Sequence, residues 1–377
     1  MDETTTAGTP VRYGVIGTGM MGVEHIENIR VLDGATVTAI ADTDAGSRAA
    51  GAAAAGDGVS VFDDHRALLD SGLCDAVVIA TPNHTHIDVL PDALRSGLHV
   101  MIEKPLCTTV ADCESVLDLA AERAPGLVTW MAMEYRYMPA AAELIRLVHG
   151  GAVGTPRMVA IREHRFPFLV KVGNWNRFTA NTGGTLVEKT CHFFDLMNLI
   201  LRERPIRVMA SGAQDVNHLD ESYEGRTPDI LDNAFVIVDY PSGARSMLDL
   251  CMFAEATHDQ EEMSVVGELG KVEARIPSDT IHVGRRGEHW IGGVESYTAA
   301  DDRILHEGLH HGSSYLEHVD FLAAIRSGGA PAVTLDDGYW AVAVGAAAHR
   351  SIELGRPVAL AELMDERFTT DRREVRA

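Results

Sequence analysis

Residues 11–42 read VRYGVIGTGMMGVEHIENIRVLDGATVTAIAD. Val11–Ile16 is an apolar run of buried-strand type that ends in Gly17-Thr18-Gly19-Met20-Met21-Gly22. The pattern predicts a helix from about Gly22 to Val31 and a second strand over Thr36–Ala41, the order of a βαβ unit in a parallel sheet. In such a unit the first glycine permits the tight turn, the second lets the backbone approach a diphosphate, and the third lets helix and strand pack closely. The free N–H groups and partial positive charge of the helix start suit the same diphosphate. Asp42 stands 20 residues after Gly22 at the end of the second strand, where a carboxylate binds a ribose 2′-hydroxyl. That carboxylate disfavours a 2′-phosphate, so NAD is expected over NADP, with Arg48 partly offsetting the preference.

The alternation continues outward. Helices are expected at 49–55, 65–71, 86–96 and 110–122, and strands at 59–62, 76–80, 99–102 and 127–131. Six short strands with helices between them make a complete Rossmann, doubly wound parallel sheet. Beyond a helix at about 139–149 and the turn HGGAVGTP, strands lengthen and alternate: 157–164, 207–214, 234–240, 245–254, 262–267, 271–275 and 280–283. Turns such as Pro241-Ser242-Gly243 join them, which suits an antiparallel sheet. One helix is expected over 183–201 and two more over 313–327 and 336–353. The expected division is a dinucleotide-binding domain at 1–131 and a second α/β domain at 132–377.

The chain has 377 residues, and 32 Lys+Arg against 55 Asp+Glu give a net charge of −23. Such a surface repels phosphate backbones and anionic lipid, so neither nucleic acid nor a membrane is expected as a partner. No apolar run is long enough to span a bilayer, and the acidic start MDETTTAGTP does not read as an export leader. Five scattered cysteines without a C-x-x-C fit free thiols in the cytoplasm. The histidines are densest at His306, His310 and His311, with no carboxylate at ligand spacing, so no metal is expected.

Two segments carry candidate chemistry. Glu103-Lys104-Pro105 follows a parallel strand, at the edge where open α/β sheets place ligands. Pro105 biases Lys104 away from helix, and a lysine there can hydrogen-bond a reacting oxygen above a nicotinamide. Further on, Gly183-Gly184-Thr185-Leu186-Val187-Glu188-Lys189-Thr190-Cys191-His192-Phe193-Phe194-Asp195 reads as helix. Glu188 and His192 are then i,i+4 neighbours on one side, with Asp195 placed to orient the imidazole.

The segments GVIGTGMMG, AIAD, IATPNHTH, MIEKPL, MEYRYMP, GGAVGTP and GGTLVEKTCHFFDL, in this order, resemble the Gfo/Idh/MocA family of nicotinamide-dependent oxidoreductases. VVGELGKVEA and HGSSYLEHVDFLAAI extend the resemblance over nearly the whole chain. The resemblance implies a C-terminal α/β domain with a large open-faced, mainly antiparallel sheet that binds substrate and packs against a partner subunit, giving a homo-oligomer. It also implies that Lys104 is the family lysine and that Glu188 and His192 are the acid–histidine pair of its inositol and sugar dehydrogenases. The acid is usually Asp, and Lys189 beside it departs from the commonest motif.

The expected cofactor set is Gly17, Thr18, Gly19, Met20, Met21, Gly22, Asp42, Thr81, Pro82, Asn83, His86, Glu103 and Lys104. The expected catalytic set is Lys104, His192 and Glu188, with His192 the candidate base and Lys104 the alternative. Substrate contacts are expected from Lys104, Arg165, Trp175, Arg177, Glu188, Lys189, His192 and His311, with Lys171, Asn176 and His310 nearby. The expected reaction is hydride transfer between NAD and a secondary hydroxyl or ketone of a cyclic polyol, sugar or glycoside. A keto-sugar reductase, an NAD-dependent redox glycosidase and a non-catalytic nucleotide sensor are the alternatives.

Overall fold

A computed structural model describes residues 9–287 and 293–368. Met1–Gly8, on which most of the leader reading rests, lie outside the described residues. The first elements are β1 (Val11–Ile16), α1 (Met20–Val31), β2 (Ala35–Ala41), α2 (Ala45–Ala55), β3 (Ser60–Phe62) and α3 (His65–Leu69). They are followed by β4 (Ala76–Ile79), α4 (His86–Arg95), β5 (His99–Ile102), α5 (Val110–Ala121) and β6 (Thr129–Met131). The six strands form one sheet in the order β3-β2-β1-β4-β5-β6, parallel throughout. All four β4 residues are buried, as expected of a parallel strand covered on both faces. The strand order reverses between β1 and β4, and the loops after β1, β4 and β5 carry Gly17, Thr81 and Glu103. This is the switch point at which such sheets hold their ligands.

The chain continues through α6 (Pro139–His149), β7 (Pro156–His164), α7 (Thr179–Thr182), α8 (Thr185–Glu188) and α9 (Cys191–Leu201). Then come β8 (Arg207–Ala213), β9 (Asn233–Asp239), β10 (Arg245–Cys251), β11 (Glu261–Gly267), β12 (Gly270–Ile276), β13 (Thr280–Arg285) and β14 (Val294–Thr298). Last are α10 (Ser313–Ser327), α11 (Leu335–Leu354) and β15 (Val358–Ala359). A nine-stranded sheet runs β14-β13-β12-β11-β7-β10-β9-β8-β15. It is antiparallel except for the β7–β10 pair. Its two faces differ, following the period of two along each strand. In β9, Ala234, Val236 and Val238 are buried while Phe235 and Ile237 are exposed. α6 packs on β12 and β13, and α9 on β7.

The chain divides into two compact units. The first holds residues 1–106, 115–134 and 303–335, and the second holds 107–114, 135–302 and 336–377. The chain therefore crosses between units repeatedly, where the sequence reading drew one boundary at residue 131. α10 belongs to the first unit because it packs on α1, and its Phe321 sets its ring edge against Tyr13.

The helix expected over 183–201 is in two pieces. Gly183 and Gly184 take left-handed φ of 80° and 87°, so regular helix starts only at Thr185. It breaks again at Lys189-Thr190, where Thr190 Oγ1 donates to the Leu186 carbonyl (2.8 Å) and Cys191 Sγ to the Glu188 carbonyl (3.4 Å). Side chains that bond these carbonyls compete with the helical ladder. β14, exposed along its whole length, and the two-residue β15 leave no hydrophobic pattern to read.

Candidate active site

The three glycines of the first turn have distinct environments. Gly17 has φ of 87°, and a Cβ there would lie 2.6 Å from Ala80 and Thr81 backbone atoms. A Cβ on Gly22 would lie 1.9 Å from the Gly17 carbonyl oxygen, whereas one on Gly19 would meet nothing within 4 Å. The turn is closed where strand and helix meet and open where a diphosphate would approach. Asp42 accepts from the peptide N–H groups of Thr18 (2.7 Å) and Asp44 (2.8 Å), which fixes its carboxylate beside the turn. Arg48 Nη1 donates to the Asp42 and Thr43 carbonyls at 2.7 and 2.9 Å. Asn83 is buried, and its Nδ2 has no hydrogen-bond partner among the described residues. An unmet buried donor costs free energy, so open space at Gly19 and an unmet amide at Asn83 both fit a dinucleotide. Met20 is exposed and Thr18 buried, its hydroxyl on the Ser47 carbonyl (2.8 Å).

At the end of β5 the Lys104–Pro105 peptide is cis. Glu103 is buried, its Oε2 accepting from the Lys104 peptide N–H (3.0 Å) and its Oε1 from His25 Nε2 (2.9 Å). Burial raises the Glu103 pKa, but the His25 hydrogen bond and the charges of His25 and Lys104 outweigh it and hold the carboxyl well below its usual range. The other His25 nitrogen, Nδ1, is hydrogen-bonded to His318 Nε2 at 2.8 Å. Burial pushes the His318 imidazole far down. Nearby, Glu24 accepts from the Leu309 N–H (3.1 Å), Ser314 Oγ (3.2 Å) and His310 Nδ1 (3.3 Å). The loop after β5 thus rests on a buried set of carboxylates and imidazoles.

In the second unit, Glu188, Lys189 and His192 are all buried. Lys189 Nζ donates to the Tyr135 hydroxyl at 2.6 Å and pairs with Glu163 Oε1 at 2.8 Å. Burial pushes the Lys189 ammonium down, Glu163 opposes this and Arg165 adds to it. The Tyr135 ring stacks on the His192 imidazole, centroids 4.1 Å apart and planes within 8°. Asp195 is engaged elsewhere: Arg136 Nε donates to its Oδ2 at 2.6 Å and Nη2 pairs with its other oxygen. The ring expected to lean on Asp195 instead lies flat on Tyr135.

The sequence profile of the "Oxidoreductase family, NAD-binding Rossmann fold" matches residues 11–128, and that of the "Oxidoreductase family, C-terminal alpha/beta domain" matches residues 145–360. The chain belongs to the Gfo/Idh/MocA oxidoreductase family. It is 29% identical over 358 residues to inositol 2-dehydrogenase 1 of Saccharopolyspora erythraea, covering 94% of this chain and 98% of the relative. It is 28% identical over 363 residues to the myo-inositol 2-dehydrogenase of Thermotoga maritima, covering 94% and 100%. Its fold matches levoglucosan dehydrogenase in complex with NADH, with a TM-score of 0.81 at 20% identity over 93% of this chain and 99% of the other.

Several residues of the expected cofactor and substrate sets have protein partners of their own. His86, placed in the cofactor set, is fully buried with Nδ1 on the Pro105 carbonyl (2.9 Å) and Nε2 on the Thr81 carbonyl (3.1 Å). It braces the loops that carry Thr81 and Pro105. Arg177, placed in the substrate set, is buried against Glu221 Oε2 (3.1 Å) and the Phe168 carbonyl (3.2 Å). Asn176 binds the Leu169 carbonyl, and Lys171 lies 5.0 Å over the Trp175 ring. His311 is exposed with φ of 54°, whereas its neighbour His310 turns inward to Glu24. Arg165 reaches Glu163 at 3.4 Å and lies over Phe166. Tyr135, Glu163, His25 and His318 were not singled out from sequence. Tyr135 lies inside the quoted MEYRYMP, but nothing local marks it as the partner of a residue 54 positions away.

Proposed function

We propose that this protein is an NAD-dependent dehydrogenase that oxidises a secondary hydroxyl of a cyclic polyol or sugar to a ketone, and reduces the ketone in reverse. The observation that carries this reading is the buried segment Glu188–His192, an acid and a stacked imidazole four residues apart across the break between α8 and α9, in a chain whose relatives are named inositol 2-dehydrogenases. Bound NAD supplies the hydride acceptor. His192 takes the hydroxyl proton, the role that imidazole most often fills in general base catalysis. Lys104 is a hydrogen-bond donor suited to stabilising the negative charge that develops on a reacting oxygen. Glu188 orients the imidazole and the sugar hydroxyls. The Asp42 carboxylate, held by two peptide N–H groups, supports NAD over NADP because a 2′-phosphate would meet a fixed negative charge.

Met158, Met209, Phe235, Ile237 and Met247 stand exposed on the open face of the nine-stranded sheet, which supports burial of that face against a second copy. Among the described residues no helix is long and apolar enough to cross a membrane. The five cysteines form no disulfide among the described residues, which supports a cytoplasmic setting.

The test is a plate of NAD⁺ and NADP⁺ against inositols, monosaccharides and aminosugars, followed at the NADH absorbance band. Turnover of at least one cyclic polyol or sugar with NAD⁺ is expected. Silence across the plate, or equal rates with NADP⁺, defeats the substrate reading or the cofactor preference respectively.

A further inference from the structure

The proposed mechanism leaves Lys189 without a role, although a buried lysine is costly to keep. Its surroundings in the second unit form an unbroken chain of contacts. Glu163 is fully buried in β7, which lies in the interior of the nine-stranded sheet. It holds the Lys189 ammonium at 2.8 Å, with Arg165 as its second cationic neighbour at 3.4 Å. Lys189 donates to the Tyr135 hydroxyl at 2.6 Å, and its ammonium lies 4.8 Å from the centre of that ring. The edge of Phe193 closes on Tyr135 at 5.7 Å and 70°. One face of the Tyr135 ring lies parallel to His192 at 4.1 Å.

The chemistry of these contacts separates two jobs. The Lys189–Glu163 pair cancels in charge, so it adds little net field at the imidazole. What it does fix is direction: a phenol hydroxyl held by a buried ammonium, with a phenylalanine edge against its ring, cannot swing about its Cα–Cβ bond without breaking a charge-assisted hydrogen bond. An aromatic side chain has two rotatable torsions, and both are constrained here. The imidazole stacked on that ring is restricted in turn, because rotating its plane would break the parallel contact over the whole ring face. Lys189 itself is about 5% exposed, and its hydrogen-bonding contacts are with Tyr135 and Glu163. It therefore serves the protein rather than a substrate hydroxyl.

We infer that Tyr135 is a positioning residue for His192, and that Lys189 and Glu163 anchor Tyr135 in that role by tying its hydroxyl to the nine-stranded sheet. The inference rests on the reading of His192 as the base. It assigns a purpose to the lysine by which this chain departs from the commonest form of the motif.

Four forms of the full-length enzyme test it: Tyr135→Phe, Tyr135→Leu, the charge-balanced pair Lys189→Met with Glu163→Gln, and His192→Asn. Each is assayed with NAD⁺ and myo-inositol, and crystals of the two Tyr135 variants with NADH give the His192 ring plane. Tyr135→Leu removes the stack and is expected to lower kcat by about 10²-fold, the typical cost of a misplaced catalytic group, with KM changed by less than about threefold. Its His192 ring should turn by more than about 30° or occupy two orientations. Tyr135→Phe keeps the stack and should hold the ring in place and lose less than about tenfold in kcat. The charge-balanced pair should fall between the two.

A Tyr135→Leu enzyme with near wild-type kcat, or with the loss confined to KM, overturns the inference. So does an undisturbed His192 ring in its crystals. If His192→Asn turns over like the wild type, the base assignment fails instead, and the ring plane in Tyr135→Leu still decides whether Tyr135 positions it.

Discussion

In the first unit a carboxylate, Glu103, is buried next to Lys104; in the second an ammonium, Lys189, is buried three residues before His192. Glu103 is satisfied by N–H donors, one from His25 and one from the Lys104 backbone. Lys189 is satisfied by a full opposite charge on Glu163 and a phenol. The difference follows from the donor inventory. A carboxylate can be held by peptide and imidazole N–H groups that carry no compensating carboxylate of their own, whereas an ammonium needs acceptors, and in a dry site a carboxylate is the strongest. The Glu103 arrangement loses one hydrogen bond at a time. The Lys189 arrangement loses a partner of a buried charge in one step.

The comparison has meaning for function only if His192 is reactive, and the largest expected effect tests that. His192→Ala should lower kcat by about 10²–10⁴-fold, the usual loss of a general base, with far smaller change in KM. Steady-state rates at saturating NAD⁺ measure it, and wild-type turnover would remove the reason for comparing the two regions.

Stability sharpens the contrast next. Lys189→Met leaves Glu163 fully buried with Arg165 as its remaining cationic contact among the described residues. A loss of about 3 kcal/mol is expected, because the buried Glu163 carboxylate loses its 2.8 Å ion-pair partner and keeps only the longer contact to Arg165. Adding Glu163→Gln should restore much of it. His25→Leu removes one donor from Glu103 but leaves the Lys104 N–H, so a loss of about 1.5–2 kcal/mol is expected. Denaturant midpoints of the three variants rank the two clusters, and equal losses for Lys189→Met and His25→Leu would erase the difference drawn above.

How far these clusters were legible in the sequence differs between the units. Gly17, Gly19, Gly22 and Asp42 lie within 26 residues, and their roles follow from a local turn, so spacing alone places them. The parallel strands are equally legible, because Val77 to Ile79 must be apolar on both faces. Glu163, Tyr135 and Lys189 come from a strand, a helical turn and a helix break far apart in the chain, and only tertiary packing unites them. His86 and Arg177 show what spacing does not disclose. Their residue types and segments suggest ligand contact, and the fold also gives them protein partners: the Pro105 and Thr81 carbonyls lie on the His86 ring nitrogens and Glu221 lies on Arg177 Nε, while Arg177 Nη1 has no hydrogen-bond partner among the described residues. The break at Lys189-Thr190 was hidden because Thr190 and Cys191 are acceptable helix residues, and only the bonds from their side chains to Leu186 and Glu188 carbonyls disclose it.

The smallest expected effect concerns acid. Each unit buries an imidazole whose pKa is depressed: His318 in the first, and His349 in the second, where burial lowers it to about 4 against a weaker opposing charge from Glu353. His349 Nε2 accepts the Leu186 N–H at 3.1 Å, a bond that requires the nitrogen to be unprotonated. Between the unfolded value of about 6.5 and the folded value, the unfolded chain binds a proton that the folded chain refuses, so stability falls as pH is lowered and is level above about pH 7. For His349 this amounts to about 1–2 kcal/mol between pH 6.5 and 5. His349→Gln keeps an acceptor for Leu186 without the titration, and thermal midpoints should then fall less steeply on acidification than in the wild type. The remaining slope belongs to groups such as His318. A variant slope identical to the wild type would mean that His349 does not carry the acid sensitivity, which then lies with other depressed groups such as His318 and His149.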